Sequence, residues 1–217
     1  MTGAGRDTGR KVALAFAARG AQVLAAARTL SAAEETVALI RAAGGTASAA
    51  VLDLSDPTSV EQLRVDRLDI LVNSGARYLA GEATPEDIAD TIAGAATGTV
   101  LLTERLLPLL RASGHPDIVN LISAAGEPRH HRSEAHPAFY AAKHAQAGYA
   151  EILSERLRPE GIRVISLYPP DFVQDGPRDA TSNLTAQSVV DCVLFAVSQP
   201  RDCFIRAFHF EQLALRS

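Results

Sequence analysis

Residues 1–20 read MTGAGRDTGRKVALAFAARG, and the fold turns on how they are interpreted. Gly3, Gly5 and Gly9 lead straight into GRKVALAFAARG, where apolar residues recur at helical spacing and stop at Gly20. A glycine turn entering a helix gathers backbone N–H groups and the positive end of the helix at one point, which suits a phosphate. Such a turn ordinarily follows a β-strand that aims it. Here the turn starts at the second residue, so the first strand is absent from the sequence. Leaving that strand's place empty would expose two rows of backbone donors and acceptors, each buried orphan costing about 1–3 kcal/mol. The expectation is a natural chain that starts upstream of Met1. The alternatives are neighbouring strands slid together, or the gap filled by another segment or chain.

The rest of the chain alternates between two periods. AQVLAAAR, TASAAVLDL, LDILVNSG, DIVNLIS, GIRVISLYPP and DCFIRAFHF read as strands. Between them lie helices: SAAEETVALIRAAGG, TPEDIADTI with its Thr-Pro start, TGTVLLTERLLPLLRA, FYAAKHAQAGYAEILSERL and TAQSVVDCVLFAVSQ. Apolar strands alternating with helices predict a parallel sheet covered on both faces. The fold class is therefore α/β, a Rossmann-like doubly wound sheet, as one domain over residues 1–217. Composition agrees: 217 residues, 47% hydrophobic and without Trp, fit one globular core. A net charge of −4 speaks against nucleic acid as a partner. No apolar run reaches the roughly 18 residues of a membrane span, and no basic leader precedes one, so neither membrane nor export is expected. Cys192 and Cys203 have neither disulfide nor zinc spacing, which leaves a cytoplasmic location as the default.

The pieces, in this order, resemble the short-chain dehydrogenase/reductase family across essentially the whole chain. TGAGRDTGR resembles its TGxxxGxG loop, LDL its acidic position after a strand, and LVNSGA its NNAG motif. IVNLISAAG resembles the strand carrying the catalytic serine, FYAAKHAQAG the YxxxK helix, and RPEGIRVISLYPP the strand ending in Pro-Gly. The resemblance implies hydride transfer between a nicotinamide and a carbonyl or alcohol carbon. Ser123 would orient the substrate oxygen, Tyr140 would protonate it, and Lys143 would hold the cofactor ribose and tune the phenol. It also implies that Gly3, Gly5, Arg6 and Gly9 cradle the pyrophosphate. Asp53 and Leu54 would border the adenine, and Asn73, Gly75 and Pro169 would lie along the cofactor. The strand AQVLAAAR ends in Arg28 where a carboxylate would favour NAD(H); with Arg6 nearby, NADP(H) is preferred.

The sequence also departs from the family pattern. Phe139, not tyrosine, stands four residues before Lys143; Tyr140 is one position along, about 100° around the helix. In another alignment Tyr140 keeps its place and His144 replaces the lysine. The separation from Ser123 to Phe139 is longer than usual, the extra residues lying in EPRHHRSEAHP. Ala95 stands where an asparagine would organise a proton relay. Asp7 replaces the middle glycine of the loop, so Arg6 or Arg10 must neutralise it unless it caps the helix. Pro170 replaces a glycine, and Gln174 stands where a threonine often meets the carboxamide. His115, His130, His131 and His136 read as polar surface without a metal-ligand pattern.

The leading expectation is thus an NADP(H)-dependent oxidoreductase acting on a small or mid-sized carbonyl or alcohol, forming homodimers or homotetramers through its two long helices. The alternative is a redox-inactive relative that serves as a nucleotide-binding or partner subunit, or runs non-redox chemistry in the same pocket.

Overall fold

The computed structural model describes residues 1–128 and 133–213. The elements run α1 (Asp7–Ala17), β1 (Gln22–Ala27), α2 (Leu30–Ala42), β2 (Thr46–Val51), α3 (Pro57–Gln62), β3 (Ile70–Asn73) and α4 (Pro85–Ile92). Then follow α5 (Thr99–Arg111), β4 (Asp117–Leu121), α6 (Pro137–Leu157), β5 (Arg163–Tyr168), α7 (Ala186–Ser198) and β6 (Ala207–His209). All strand pairs are parallel. β1 pairs with β2, and a second ladder runs β3-β4-β5-β6. This is the expected Rossmann-like α/β architecture.

The place of the missing strand is neither empty nor closed by its neighbours. β1 and β3 do not pair with each other. Residues 1–4 pass between them instead. The Met1 amino group donates to the Leu24 carbonyl at 3.0 Å. The Ala26 N–H donates to Met1 O and the Ala4 N–H to Ala26 O, each at 3.0 Å. On the other side the Thr2 N–H donates to Val72 O, also at 3.0 Å. A four-residue stub therefore joins the two ladders at the ends of β1 and β3 from which the cleft opens. The option in which neighbouring strands slide together is not what the structure adopts.

Side-chain alternation along the central strands divides the core between two faces. Leu71, Ile118 and Val164 pack with Leu102, Leu106 and Leu110 of α5 and Leu153 of α6. Their neighbours Val72, Val119 and Ile165 pack with Val12 of α1 and Val189, Val190 and Val193 of α7. Alanines dominate a third cluster where α1 and α2 cover β1 and β2, so these helices sit close to the strands.

Local signals set several ends. Thr84 and Asp87 form a reciprocal capping box at α4, with Pro85 in the first turn. α4 and α5, read from the sequence as separate helices, are continuous through a π-helical turn, Ala93–Gly98. A Cβ on Gly98 would stand 1.9 Å from the Leu54 carbonyl oxygen, so only glycine lets this turn rest on the strand-end loop. The expected last strand shortens to three residues.

Away from the cleft, Asp117 and Arg163 face each other in register at the start of β4 and β5. Arg163 Nε and Nη2 donate to the two carboxylate oxygens at 2.8 and 2.7 Å, and Arg201 adds a third bond at 2.7 Å. Arg163 also donates to the carbonyls of Val197, Gln199 and Cys203, holding the chain after α7 against the sheet. Deleting the carboxylate leaves a buried cation unpaired. Asp117→Ala is expected to cost about 3–5 kcal/mol in urea unfolding; a loss below about 1 kcal/mol, the range of exposed pairs, would contradict this account.

Candidate active site

The stub delivers the chain into the glycine turn. Thr2 Oγ1 accepts the N–H groups of Ser74 and Gly75 at 3.0 and 2.9 Å, stitching the turn to the loop after β3. Gly3 has φ +64°, and a Cβ there would lie 2.9 Å from Gly75 Cα. A Cβ on Gly9 would lie 2.0 Å from the Gly3 carbonyl oxygen, so the turn closes on itself only with glycine. α1 starts at Asp7 with Arg6 as its extended N-cap and no side-chain cap, leaving first-turn N–H groups facing the cleft.

Asp7 adopts φ +50°, the left-handed region a glycine would fill without strain. Of the readings the sequence left open for it, neutralisation by Arg6 is the one observed. The carboxylate pairs with Arg6 at 3.4 Å and does not cap the helix. Arg10 is engaged elsewhere, donating to Thr36 Oγ1, Glu35 and the Gly5 carbonyl.

These residues line one side of a cleft of about 810 Å³. Gly3, Gly5, Arg6, Gly9, Arg28, Asp53, Leu54, Gly75, Ser123, Lys143 and Pro169 all border it. Arg28 projects from the end of β1 with its side chain exposed. Asp53 Oδ1 accepts from the Ser55 amide and hydroxyl at 2.9 and 2.8 Å, which fixes the turn after β2. Gln174 Nε2 donates to Thr8 Oγ1 at 3.3 Å, linking the loop after β5 to the start of α1.

At the far end stands Ser123, with φ +108°, its Oγ accepting the Ala125 N–H at 3.2 Å. A non-glycine residue in that region is strained, and such strain concentrates at functional positions. Lys143 reaches the cleft from α6 while almost entirely buried. Its Nζ donates to the Leu121 carbonyl at 3.0 Å and to Gln146 Oε1 at 2.9 Å. Desolvation pushes its pKa down from 10.5 to about 7. Nζ also lies 5.7 Å from the centre of the Phe139 ring.

Two expected residues do not reach the cleft. Tyr140 is turned toward the preceding loop, where its hydroxyl donates to the Ser133 carbonyl and accepts the Ser133 N–H, both at 3.3 Å. The one-residue offset from Phe139 carries it around the helix, and the helix start is not unwound to bring it back. His144 is likewise no substitute for Lys143, since its Nδ1 lies 2.9 Å from the Tyr140 carbonyl. Asn73 is buried behind the sheet, donating to Asn120 Oδ1 at 3.0 Å and Thr103 Oγ1 at 3.2 Å. Strand alternation aims it at α5, while Ser74 and Gly75 turn into the cleft.

Sequence reasoning missed Tyr78, Phe172 and Gln146. Tyr78 and Phe172 line the cleft beside Phe139, with Tyr78 edge-on to that ring at 5.2 Å. Gln146 carried a usable signal: three residues after Lys143, it shares that lysine's helix face. Ala95 is fully buried within the π-helical turn. His136 caps α6, its Nδ1 accepting the Ala138 N–H, while His130 and His131 lie outside the described residues. No helix among the described residues is long and apolar enough to cross a membrane.

A family model described as short chain dehydrogenase matches residues 1–183. The chain belongs to the short-chain dehydrogenase/reductase family. Among relatives of this family, it is 29% identical to a 3-oxoacyl-[acyl-carrier-protein] reductase of Synechocystis, over 93% of this chain and 83% of that protein. It is 33% identical to an uncharacterized oxidoreductase of Mycobacterium tuberculosis, the match spanning 78% of this chain and 66% of the relative. A 3-ketoacyl-ACP reductase structure from Sinorhizobium meliloti superposes with TM-score 0.81 at 26% identity, covering 95% of this chain and 94% of that one. An alcohol dehydrogenase of the archaeon Thermococcus sibiricus, complexed with 5-hydroxy-NADP, shares the fold with TM-score 0.85 at 20% identity, covering 100% and 97%. The family binds a nicotinamide cofactor, and the cradle built by Gly3, Gly9 and Gly75 beneath an uncapped helix fits its pyrophosphate.

Burial of Lys143 has a thermodynamic signature. The unfolded lysine titrates near 10.5 and the folded one near 7. Between those values the unfolded chain holds more protons, so stability rises with pH, by at most about 1.4 kcal/mol per pH unit. Below pH 7 the full penalty persists. Urea unfolding of the protein and of Lys143→Met, compared from neutral to pH 9.5, is expected to show the native chain gaining on the variant as pH rises. A pH-independent difference would contradict the buried, desolvated ammonium.

Proposed function

We propose that this short-chain dehydrogenase/reductase transfers hydride between NADP(H) and a carbonyl or alcohol carbon of a small or mid-sized molecule. One observation carries the reading: Ser123 and Lys143 border the same cleft as the glycine turn. In this reading Gly3, Gly5 and Gly9 with the first turn of α1 receive the pyrophosphate. Lys143, fixed by Leu121 and Gln146, holds the ribose hydroxyls, and Ser123 holds the substrate oxygen. Bound NADPH supplies the hydride and the protein supplies position and a proton.

The preference for NADP(H) rests on Arg28, at the end of β1 where no carboxylate stands, and on Arg6, which lines the same cleft although paired with Asp7. A metagenomic family member at 24% identity was solved in complex with NADP. Exposed Leu101 on α5 and Ile152 on α6 support pairing of these helices between copies, in a homodimer or homotetramer. The two free cysteines suit the cytoplasm.

A second reading is favoured by Phe139 and Ala95, which place apolar groups where a phenol and a relay amide are expected. There the cleft binds the dinucleotide without consuming it, in a partner subunit or for non-redox chemistry. Stopped-flow absorbance at the nicotinamide band with a carbonyl panel separates the two. Turnover supports the reductase; tight NADPH binding without turnover supports the second reading. Arg28→Ala is expected to weaken NADPH binding about 10- to 100-fold, the worth of one charged hydrogen bond, and to leave NADH nearly unchanged. Equal losses for both cofactors would remove the 2′-phosphate assignment.

A further inference from the structure

The chain has four tyrosines, and each can be placed. Tyr140 is tied to the Ser133 backbone. The Tyr149 hydroxyl donates to Glu104 Oε1 at 2.9 Å on the outer face of α5. The Tyr168 ring stacks flat on His209, with centroids 4.8 Å apart. None of these three borders the cleft. Tyr78 does, from the loop after β3, and 54% of its surface is exposed. Its ring meets Phe139 edge-on at 5.2 Å and 68°, while Lys143 Nζ sits 5.7 Å from the same Phe139 ring. Phe139 is thus a spacer with a lysine on one side and a phenol on another.

Three other proton-bearing groups of the cleft are already engaged. Lys143 directs two of its three N–H bonds at Leu121 and Gln146. Arg77 is paired with Asp87 and Asp90. The Ser123 hydroxyl accepts from Ala125 and is too weak an acid to act alone.

We propose that Tyr78 is the proton donor of this enzyme, taking from a loop the task that Phe139 and Tyr140 cannot perform from α6. The proposal rests on the reductase reading above. In the step, a carbon–hydrogen bond forms at the carbonyl carbon as hydride arrives from NADPH, and the C=O π pair moves onto oxygen. The Tyr78 O–H bond breaks as its proton passes to that oxygen. The carbonyl is reduced to an alcohol, the cofactor is oxidised, and the exposed tyrosinate regains its proton from solvent.

Two measurements test this. In protein labelled with 3-fluorotyrosine, the fluorine resonance absent from Tyr78→Phe identifies Tyr78. NADP+ is expected to move that resonance and leave the Tyr140 resonance in place. A Tyr78 signal indifferent to saturating NADP+ overturns the proposal. In steady-state reduction of the carbonyl panel, Tyr78→Phe is expected to lower kcat at least about 100-fold, the usual worth of a positioned acid. Its NADPH affinity by calorimetry should not change. Adding Phe139→Tyr to that variant is expected to restore turnover, and Tyr140→Phe to behave as the native chain. If the native chain is active and Tyr78→Phe remains so, the donor assignment fails while the reductase reading stands. If the native chain is inactive and Phe139→Tyr alone becomes active, Tyr78 is no donor. If neither turns over, the reductase reading falls, and the donor assignment falls with it.

Discussion

Four backbone hydrogen bonds, made by residues 1–4 to Leu24, Ala26 and Val72, are the constraint on which the rest of this molecule depends. They are the direct backbone link between two parallel ladders that do not otherwise pair. The same short stretch aims the glycine turn, because Thr2 is held between the ladders while its hydroxyl grips the amides of Ser74 and Gly75. The Ala4 carbonyl then accepts the Thr36 hydroxyl at 2.7 Å, which fixes α2 to the turn. Two loops and one helix start are located by groups within a handful of residues, and the cleft lies where they meet. An anion site of this kind gains from rigidity, since the donors are ordered before the ligand arrives.

Beyond the cradle, the surroundings of Lys143 are mostly apolar. Ala95 brings no hydrogen-bonding side chain to the π-helical turn, and Phe139 brings a ring without a hydroxyl to α6. Gln146 supplies an acceptor to the lysine, so the ammonium remains solvated by protein in a nearly dry position. The π-helical turn rests through Gly98 on the Leu54 carbonyl, a backbone contact that does not involve the side chain at position 95.

Much of this was legible in the sequence, and the reasons are physical. Strand and helix periods, the Thr84-Pro85 start and the glycine turn are local patterns, and most elements formed where their patterns lie, the shortened last strand and the fused α4–α5 apart. Lys143 sits on α6, whose register fixes its direction, and Ser123 lies in the turn directly after β4, so the position of both at the cleft follows from local pattern. Tyr140 was misplaced because one step along a helix is a large rotation, and the helix start did not unwind to compensate. Asn73 failed for the corresponding reason in a strand, where one step reverses the face. Tyr78 left no trace in the sequence, since its contact with Phe139 joins residues far apart in the chain. The four-residue stub was also invisible: two residues before a tight glycine and one after it carry no strand period, and only the neighbours' unpaired backbone gives them a partner.

Hydrogen–deuterium exchange resolved to single amides tests the central claim most directly. The account predicts that the Thr2, Ala4 and Ala26 amides are protected in the free protein to the level of the neighbouring strands. It further predicts that amides of the first turn of α1 gain protection when NADPH is added. Fast exchange at Ala26 and Thr2, with no response of the α1 turn to NADPH, would contradict both the anchoring of the turn and its use as a cofactor cradle.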